Sequence, residues 1–259
     1  MFSAAIDTPW RVVILFVAGL AAGVSNGVAG GGTFITFPTL LALGIAPLQA
    51  NVSSTVGLVP SVLAGVQVFR RELSAHRATL TRLVPTCVAG SAVGTFLLLT
   101  ESPATFAAVV PWLIGIATAL FAAAPLITRA LARRHPPGAQ GHPRPRFLAL
   151  GVFVASIYGG YFGAGLGIVL LAVLALSLPE DILTLQGIRI ALGLLTNVVA
   201  AAVFVVRGHL ALVAVAVLLV STFIGGWLGA KFMRRLPPAV VRALVIAIGL
   251  VTTVRLALG

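Results

Sequence analysis

The chain has 259 residues, of which 59% are hydrophobic and 8% are charged, and its formal net charge is +12. No soluble domain of this length can bury so much apolar surface in one core, so the composition predicts a membrane protein with lipid as its solvent. The arginines lie mainly at the ends of apolar runs, which indicates a positive-inside bias and argues against a nucleic-acid partner.

Eight hydrophobic segments follow one another along the chain. They cover residues 10–43, 52–69, 80–100, 104–131, 147–178, 182–206, 210–233 and 239–258. The one long polar connection in the sequence, 132–146, is rich in Pro and Gly and predicts a cytoplasmic linker between a first half, 1–131, and a second half, 147–259. The sequence therefore predicts an all-α polytopic membrane protein with two transmembrane halves.

The two halves match at an offset of 135 residues. In this register Gly30 and Gly32 fall on Gly165 and Gly167, Gly90 and Gly94 fall on Gly225 and Gly229, and Pro103 falls on Pro238. Such a register predicts two internal repeats of four segments each, an arrangement common in secondary transporters, where the substrate site lies between the repeats. The pairs spaced four residues apart are expected to be contacts between close-packed helices.

The first segment of each half is too long for a single crossing and contains clustered glycines. Three glycines are consecutive at Gly30 to Gly32, and the second half carries Gly163, Gly165 and Gly167. Each glycine lowers helix stability by roughly 1 kcal/mol relative to alanine, so both segments are predicted to be broken or hairpin-like. Irregular backbone at membrane depth is tolerated only beside protein or a water-filled cavity, which predicts a site at the breaks.

The basic clusters of the two halves favour an inverted topology. Arginines cluster at 70–82 in the first half, and basic residues cluster at 231–242 in the second. A plain count of eight crossings places these clusters on opposite sides of the membrane. If 10–43 and 147–178 instead enter and return as hairpins, each half has three crossings, and both clusters and the linker become cytoplasmic. A parallel repeat is the alternative.

The polar residues inside the segments suit an anion. Arg189 is the charge expected within a hydrophobic segment, and Asn197 lies deeper on the same helical face. Snorkelling is the alternative for Arg189, and a purely structural role is the alternative for Asn197. The acidic residues and histidines lie at segment ends or in connections, so no catalytic pair, proton relay or metal site is expected.

Backbone N–H groups at the ends of broken helices, together with hydroxyl, amide and guanidinium groups, favour anion binding. No catalytic residue, metal ligand or cofactor is predicted. The predicted substrate-binding residues are Asn26, Gly30, Gly31, Gly32, Thr33, Ser54, Thr55, Tyr158, Tyr161, Arg189 and Asn197.

Two strings resemble the TauE/SafE sulfite-exporter family. The first is Asn-Gly-Val-Ala-Gly-Gly-Gly-Thr-Phe-Ile-Thr-Phe-Pro from Asn26 to Pro38, followed by Ala-Asn-Val-Ser-Ser-Thr ending at Thr55, and the second runs from Tyr158 to Gly167. The resemblance implies a secondary transporter of sulfur-containing or organic anions such as sulfite, sulfonates or sulfoacetate. It also implies a plasma membrane, usually a prokaryotic one. The second half departs from the first by having Val173 in place of Pro38, so the half-sites should differ chemically.

We therefore expect a secondary anion transporter that works by alternating access, and not an enzyme. Its flux is expected to be passive or coupled to protons through the acid form of the substrate. An anion channel and a non-transporting subunit of a membrane enzyme complex are the alternatives. The expected partners are a small anion and the lipid bilayer, and a homo-oligomer is left open.

Overall fold

The computed structural model describes residues 8–28, 31–134, 145–207, 210–232 and 238–258, and in this part of the chain every regular element is an α-helix. In chain order the helices are α1 (Pro9–Val28), α2 (Thr33–Ala42), α3 (Pro47–Val68), α4 (Arg70–Ala75), α5 (Arg77–Thr100), α6 (Pro103–Arg134), α7 (Pro145–Tyr161), α8 (Leu166–Ser177), α9 (Ile182–Arg207), α10 (Leu212–Phe232) and α11 (Pro238–Leu258).

Five of the described helices are long and apolar enough to cross a membrane, judged by length and composition: α1, α5, α6, α9 and α10. Large apolar side chains on their surfaces, such as Trp112 and Phe96, are exposed, as expected of a lipid-facing surface. These observations confirm the predicted all-α polytopic membrane protein.

Both long first segments are broken, as predicted. The first break separates α1 from α2 and the second separates α7 from α8. Gly163 and Gly165, in the second break, have φ values of +79° and +77°, which glycine adopts without the steric cost that other residues meet. With 10 and 12 residues, α2 and α8 rise about 15 and 18 Å, too little to cross a hydrocarbon core of about 30 Å.

Several boundaries differ from the sequence-based expectation, and one helix is additional. The second segment begins earlier, at Pro47, because a proline is well accommodated in the first turn of a helix. The short helix α4 was not predicted. The described helices extend into the predicted linker 132–146, since α6 continues to Arg134 and α7 begins at Pro145, and the rest of that linker lies outside the described residues.

Each short helix is enclosed by protein. Phe34, Phe37 and Leu40 of α2 belong to one cluster of buried apolar side chains, which also includes residues of α1, α3, α6 and α10. Leu170 and Leu174 of α8 belong to a second cluster, formed mainly with α5, α7 and α9. The breaks therefore have the protein surroundings that irregular backbone needs at membrane depth.

The contacts of α10 fix the directions of α1 and α3. Along α3, Gly57 O accepts a hydrogen bond from Thr222 Oγ1 at 2.6 Å, and the next turn, at Ser61, lies against Gly226. The residue numbers of the contacting pairs rise together along the two helices, so α3 and α10 run in the same general direction. Gly19 and Gly23 of α1 likewise meet α10 at successive turns. Because α1 and α3 share one direction, α2 must bring the chain back between them.

Helices α7, α8 and α9 of the second half are arranged in the same way around α5, which belongs to the first half. Cys87 Sγ lies 3.5 Å from Leu192 O, and one turn later Ser91 Oγ donates to Thr196 O at 2.8 Å. α5 and α9 therefore run in the same direction. α7 also runs along α5, with successive turns in contact, so α8 must bring the chain back between α7 and α9.

The predicted glycine packing contacts are confirmed. The Cα positions of the four glycines lie so close to the neighbouring helix that a Cβ atom would overlap its backbone. Gly90 and Gly94 meet α7 at Phe153 and Ile157, and Gly225 and Gly229 meet α1 at Leu20 and Val24. The third hydrophobic segment of each half, α5 or α10, is thus packed against the first helix of the other half.

Corresponding helices of the two halves run in opposite directions. Gly65 of α3 lies near Ile190 of α9, whereas Phe69, which directly follows α3, lies near the earlier residue Gly187. The same opposite order relates α6 to α11. These directions are the ones that an inverted repeat requires, while the duplication itself stays a prediction.

A contact between two connections gives independent support for the return of the chain in α2 and in α8. His76 Nε2, between α4 and α5, lies 3.3 Å from Glu180 Oε2, between α8 and α9. The two connections therefore lie at the same end of the molecule. A plain count of eight crossings would place them on opposite sides of the membrane.

We expect cysteines at Ser74 and Glu180 to be accessible from one side of the membrane and a cysteine at Ser102 from the other. Each of Ser74→Cys, Glu180→Cys and Ser102→Cys would be made in a Cys87→Ala background and labelled with an impermeant thiol reagent on intact cells. Permeabilised cells, in which all three should react, provide the control. Labelling of Ser74→Cys and Glu180→Cys from opposite sides would contradict the inverted arrangement.

Candidate functional site

A cavity of about 70 Å³ lies between the two breaks and the middle turns of α3 and α9. A single water needs about 10–15 Å³, so the cavity has room for a few waters or one small anion. Four of the predicted site residues, Asn26, Thr33, Arg189 and Asn197, are on its wall. The complete described lining is Asn26, Thr33, Leu58, Val62, Gly65, Gly163, Leu166, Gly167, Arg189, Ile190, Gly193 and Asn197.

Arg189 is the one charged side chain among the described lining residues. Its Nε is shielded from solvent and has no hydrogen-bond partner, and no described carboxylate lies within ion-pair distance of the guanidinium. Burying a cation is costly unless an anion or several hydrogen-bond acceptors compensate its charge. The wall of this cavity therefore favours an anionic occupant.

Gly167 allows the guanidinium to lie against the start of α8. A Cβ atom at this position would overlap Nη1 of Arg189 and lie 3.5 Å from its Cζ. The N–H of Gly167 has no backbone acceptor among the described residues, as is usual in the first turn of a helix. The guanidinium and the positive end of the α8 dipole thus lie beside one another at the cavity.

Asn26 connects the two sides of the first break through hydrogen bonds. Its Oδ1 accepts a hydrogen bond from the N–H of Gly32 at 2.7 Å, and its Nδ2 donates to Ser61 Oγ at 2.8 Å. The amide thus connects the end of α1 with the start of α2 and with α3. Asn26 lines the cavity as predicted, but its hydrogen bonds go to the protein.

Asn197 differs from Asn26, because its amide has no hydrogen-bond partner among the described residues. It lies on the same face of α9 as Arg189 and Gly193, at intervals of four residues, and all three line the cavity. The predicted inward orientation of this polar face is therefore observed. Asn197 has free donors and a free acceptor for a bound molecule.

Gly31 and Gly32 lie behind the cavity wall. A Cβ at Gly31 would be 2.7 Å from the ring of Phe121, and a Cβ at Gly32 would be 2.8 Å from the Asn26 amide. Neither glycine has a positive φ. The space at these two positions is taken by protein side chains, so their small size is explained by packing. Gly30, a further predicted site residue, lies outside the described residues.

The remaining predicted residues have hydrogen bonds within the protein and are not on the cavity wall. Tyr158 OH donates to Ala164 O across the second break, and Tyr161 OH donates to Glu101 Oε1 at 2.6 Å. Thr55 Oγ1 donates to the carbonyl one turn before it, and Ser54 Oγ is 2.5 Å from the hydroxyl of Thr36. These contacts give the four residues a structural role beside the cavity.

The apolar side chains of the cavity wall were not predicted from the sequence. Leu58, Val62 and Ile190 resemble any other aliphatic residue of a spanning segment, so their composition gives no signal. The internal register does give one, because Leu58 and Val62 fall on Gly193 and Asn197 at the offset of 135 residues.

Broken helices around an internal cavity, in an all-α multi-pass fold, are the architecture of a membrane transporter. The family model described as sulfite exporter TauE/SafE matches residues 15–256, and the chain belongs to this family. A protein of Haemophilus influenzae named "Probable membrane transporter protein" is 25% identical over 252 residues, which is 95% of this chain and 94% of that protein. No solved structure matches the chain. The chain is thus a membrane transporter and not an enzyme.

We expect Asn26→Ala to destabilise the fold and Asn197→Ala to leave stability nearly unchanged. The first variant leaves the N–H of Gly32 without its acceptor, which costs about 1–3 kcal/mol for a buried group. The second removes no protein hydrogen bond. Thermal unfolding of the purified variants, compared with wild type in the same detergent, measures the difference. Equal losses for both variants would contradict the assigned role of Asn26.

Proposed function

We propose that the chain is a secondary transporter of small sulfur-containing or organic anions, such as sulfite, sulfonates or sulfoacetate. The observation that carries the proposal is the uncompensated guanidinium of Arg189 on a cavity bounded by both helix breaks. Such a site binds an anion most favourably, because the anion supplies the missing counter-charge.

The arrangement suits an oxyanion in particular. The planar guanidinium can donate to two oxygens of one ligand at the same time. The free N–H of Gly167 and the amide of Asn197 provide further donors on the same wall. A third oxygen can therefore be bound without a second charged residue.

Contacts between the halves support alternating access. The rings of Phe37 and Phe162 are 5.5 Å apart in an edge-to-face arrangement, and Asn51 Nδ2 donates to Tyr161 O at 3.0 Å. Phe162 directly precedes Gly163 on the cavity wall, and Tyr161 contacts Glu101 at the end of α5. We infer that these contacts close the cavity toward the Glu101 end, so that opening it there requires α2 and the second break to separate.

The lack of an acidic residue on the described cavity wall supports passive flux, or proton coupling through the acid form of the substrate. We propose a plasma membrane of a prokaryote as the location, since that is what the family resemblance implies. Counterflow from preloaded proteoliposomes distinguishes this transporter from an anion channel, because a channel does not exchange one bound anion for another.

Arg189→Ala should weaken binding of sulfite or methanesulfonate by about 10- to 100-fold, the range expected when a charged hydrogen-bonding partner is lost. Arg189→Lys should recover only part of the affinity, because an ammonium cannot donate to two oxygens in the planar geometry of a guanidinium. Calorimetric titration of purified protein measures both. Unchanged affinity in a folded Arg189→Ala variant would refute the site.

Gly167→Ala should weaken anion binding by at least about tenfold, since its Cβ displaces the guanidinium and about 1.4 kcal/mol corresponds to one decade. Gly193→Ala is the matched control, because a Cβ there meets no atom within 4 Å although the residue lines the same cavity. Both changes replace a glycine of a helix with alanine, which favours the helix in each case. Equal effects on affinity would indicate that cavity volume, and not the position of Arg189, matters.

A further inference from the structure

We propose that this cavity selects singly charged oxyanions that carry an apolar substituent over doubly charged oxyanions of the same size and shape. Among the anions named above, a monosulfonate is then preferred to the dianion sulfoacetate. The inference rests on the proposed function, because it names the charge state of the anion that the Arg189 site takes. It assigns a specificity role to the aliphatic part of the wall.

The first argument is the balance of charge. Arg189 contributes one positive charge, and the other described lining residues are neutral. The two residues of the first break that lie outside the described part, Ala29 and Gly30, are also uncharged by type. One negative charge on the ligand is therefore matched by the wall, and a second is not. An unmatched charge in a partly dehydrated site is strongly unfavourable.

The second argument is the chemistry of the rest of the wall. Leu58 and Leu166 are 3% and 5% exposed, and they line the cavity together with Val62 and Ile190. A charged oxygen against these side chains loses water without gaining a donor. A methyl or methylene group there is buried favourably instead.

Methanesulfonate and sulfate form a matched pair for this question. Both are tetrahedral around sulfur and present three oxygens to Arg189 and its neighbours. They differ in the fourth substituent, which is a methyl group in one and a negatively charged oxygen in the other. A difference in affinity therefore reports on the part of the wall away from Arg189.

The test is calorimetric titration of the purified full chain with sodium methanesulfonate and with sodium sulfate, at equal ionic strength because salt screens charges. We expect methanesulfonate to bind at least about tenfold more tightly, which corresponds to about 1.4 kcal/mol. Sulfate binding of equal or higher affinity would overturn the selectivity and leave the proposed function standing. Binding of neither anion by folded protein would overturn both.

A gain-of-function variant gives a second readout. Val62→Arg adds a permanent positive charge to the aliphatic wall, and Val62→Met adds length without charge. We expect Val62→Arg to shift the affinity ratio toward sulfate by at least about tenfold relative to Val62→Met. An unchanged ratio would overturn the proposal. If Val62→Arg does not fold, the wild-type titration decides the question by itself.

Discussion

A helix that breaks inside a membrane exposes N–H and C=O groups that lipid cannot satisfy, and the architecture of this transporter depends on how the protein satisfies them. Asn26 accepts the N–H of Gly32 in the first break. Tyr158 OH donates to Ala164 O in the second break, and Asn51 donates to Tyr161 O at its edge. With part of their backbone bonded in this way, both breaks can stay unwound. The cavity forms between the two breaks because both stay unwound.

The two halves contribute differently to this shared cavity. At the offset of 135 residues Ser54 corresponds to Arg189, yet Ser54 is buried and bonded to Thr36, whereas Arg189 is on the cavity wall. Likewise Val62 corresponds to Asn197. The second half therefore supplies the charge and the free amide, while both halves supply aliphatic surface. The site is therefore chemically asymmetric between the two halves.

The helices and their breaks could be predicted from sequence because lipid imposes long apolar segments and clustered glycines interrupt them. Arg189 could be found because a charge within such a segment is rare. The partners of Tyr161 and Gly31 could not be predicted, since they depend on which distant helix lies opposite, and the bond from Tyr158 to Ala164 depends on the local path of the second break. Nor could Leu58 and Val62 be recognised, because an aliphatic side chain facing a cavity has the same composition as one facing lipid.

Helices of the two halves pack against one another: α1 contacts α10, and α5 contacts α7 and α9. The groove on α1 formed by Gly19 and Gly23 is therefore filled only after α10, near the other end of the chain, has been synthesised. Assembly depends on contacts between residues far apart in sequence, which form slowly. The first half alone therefore leaves its close-packing surfaces without a partner in the membrane. In a truncated chain these surfaces stay exposed, where they can pack against helices of other proteins.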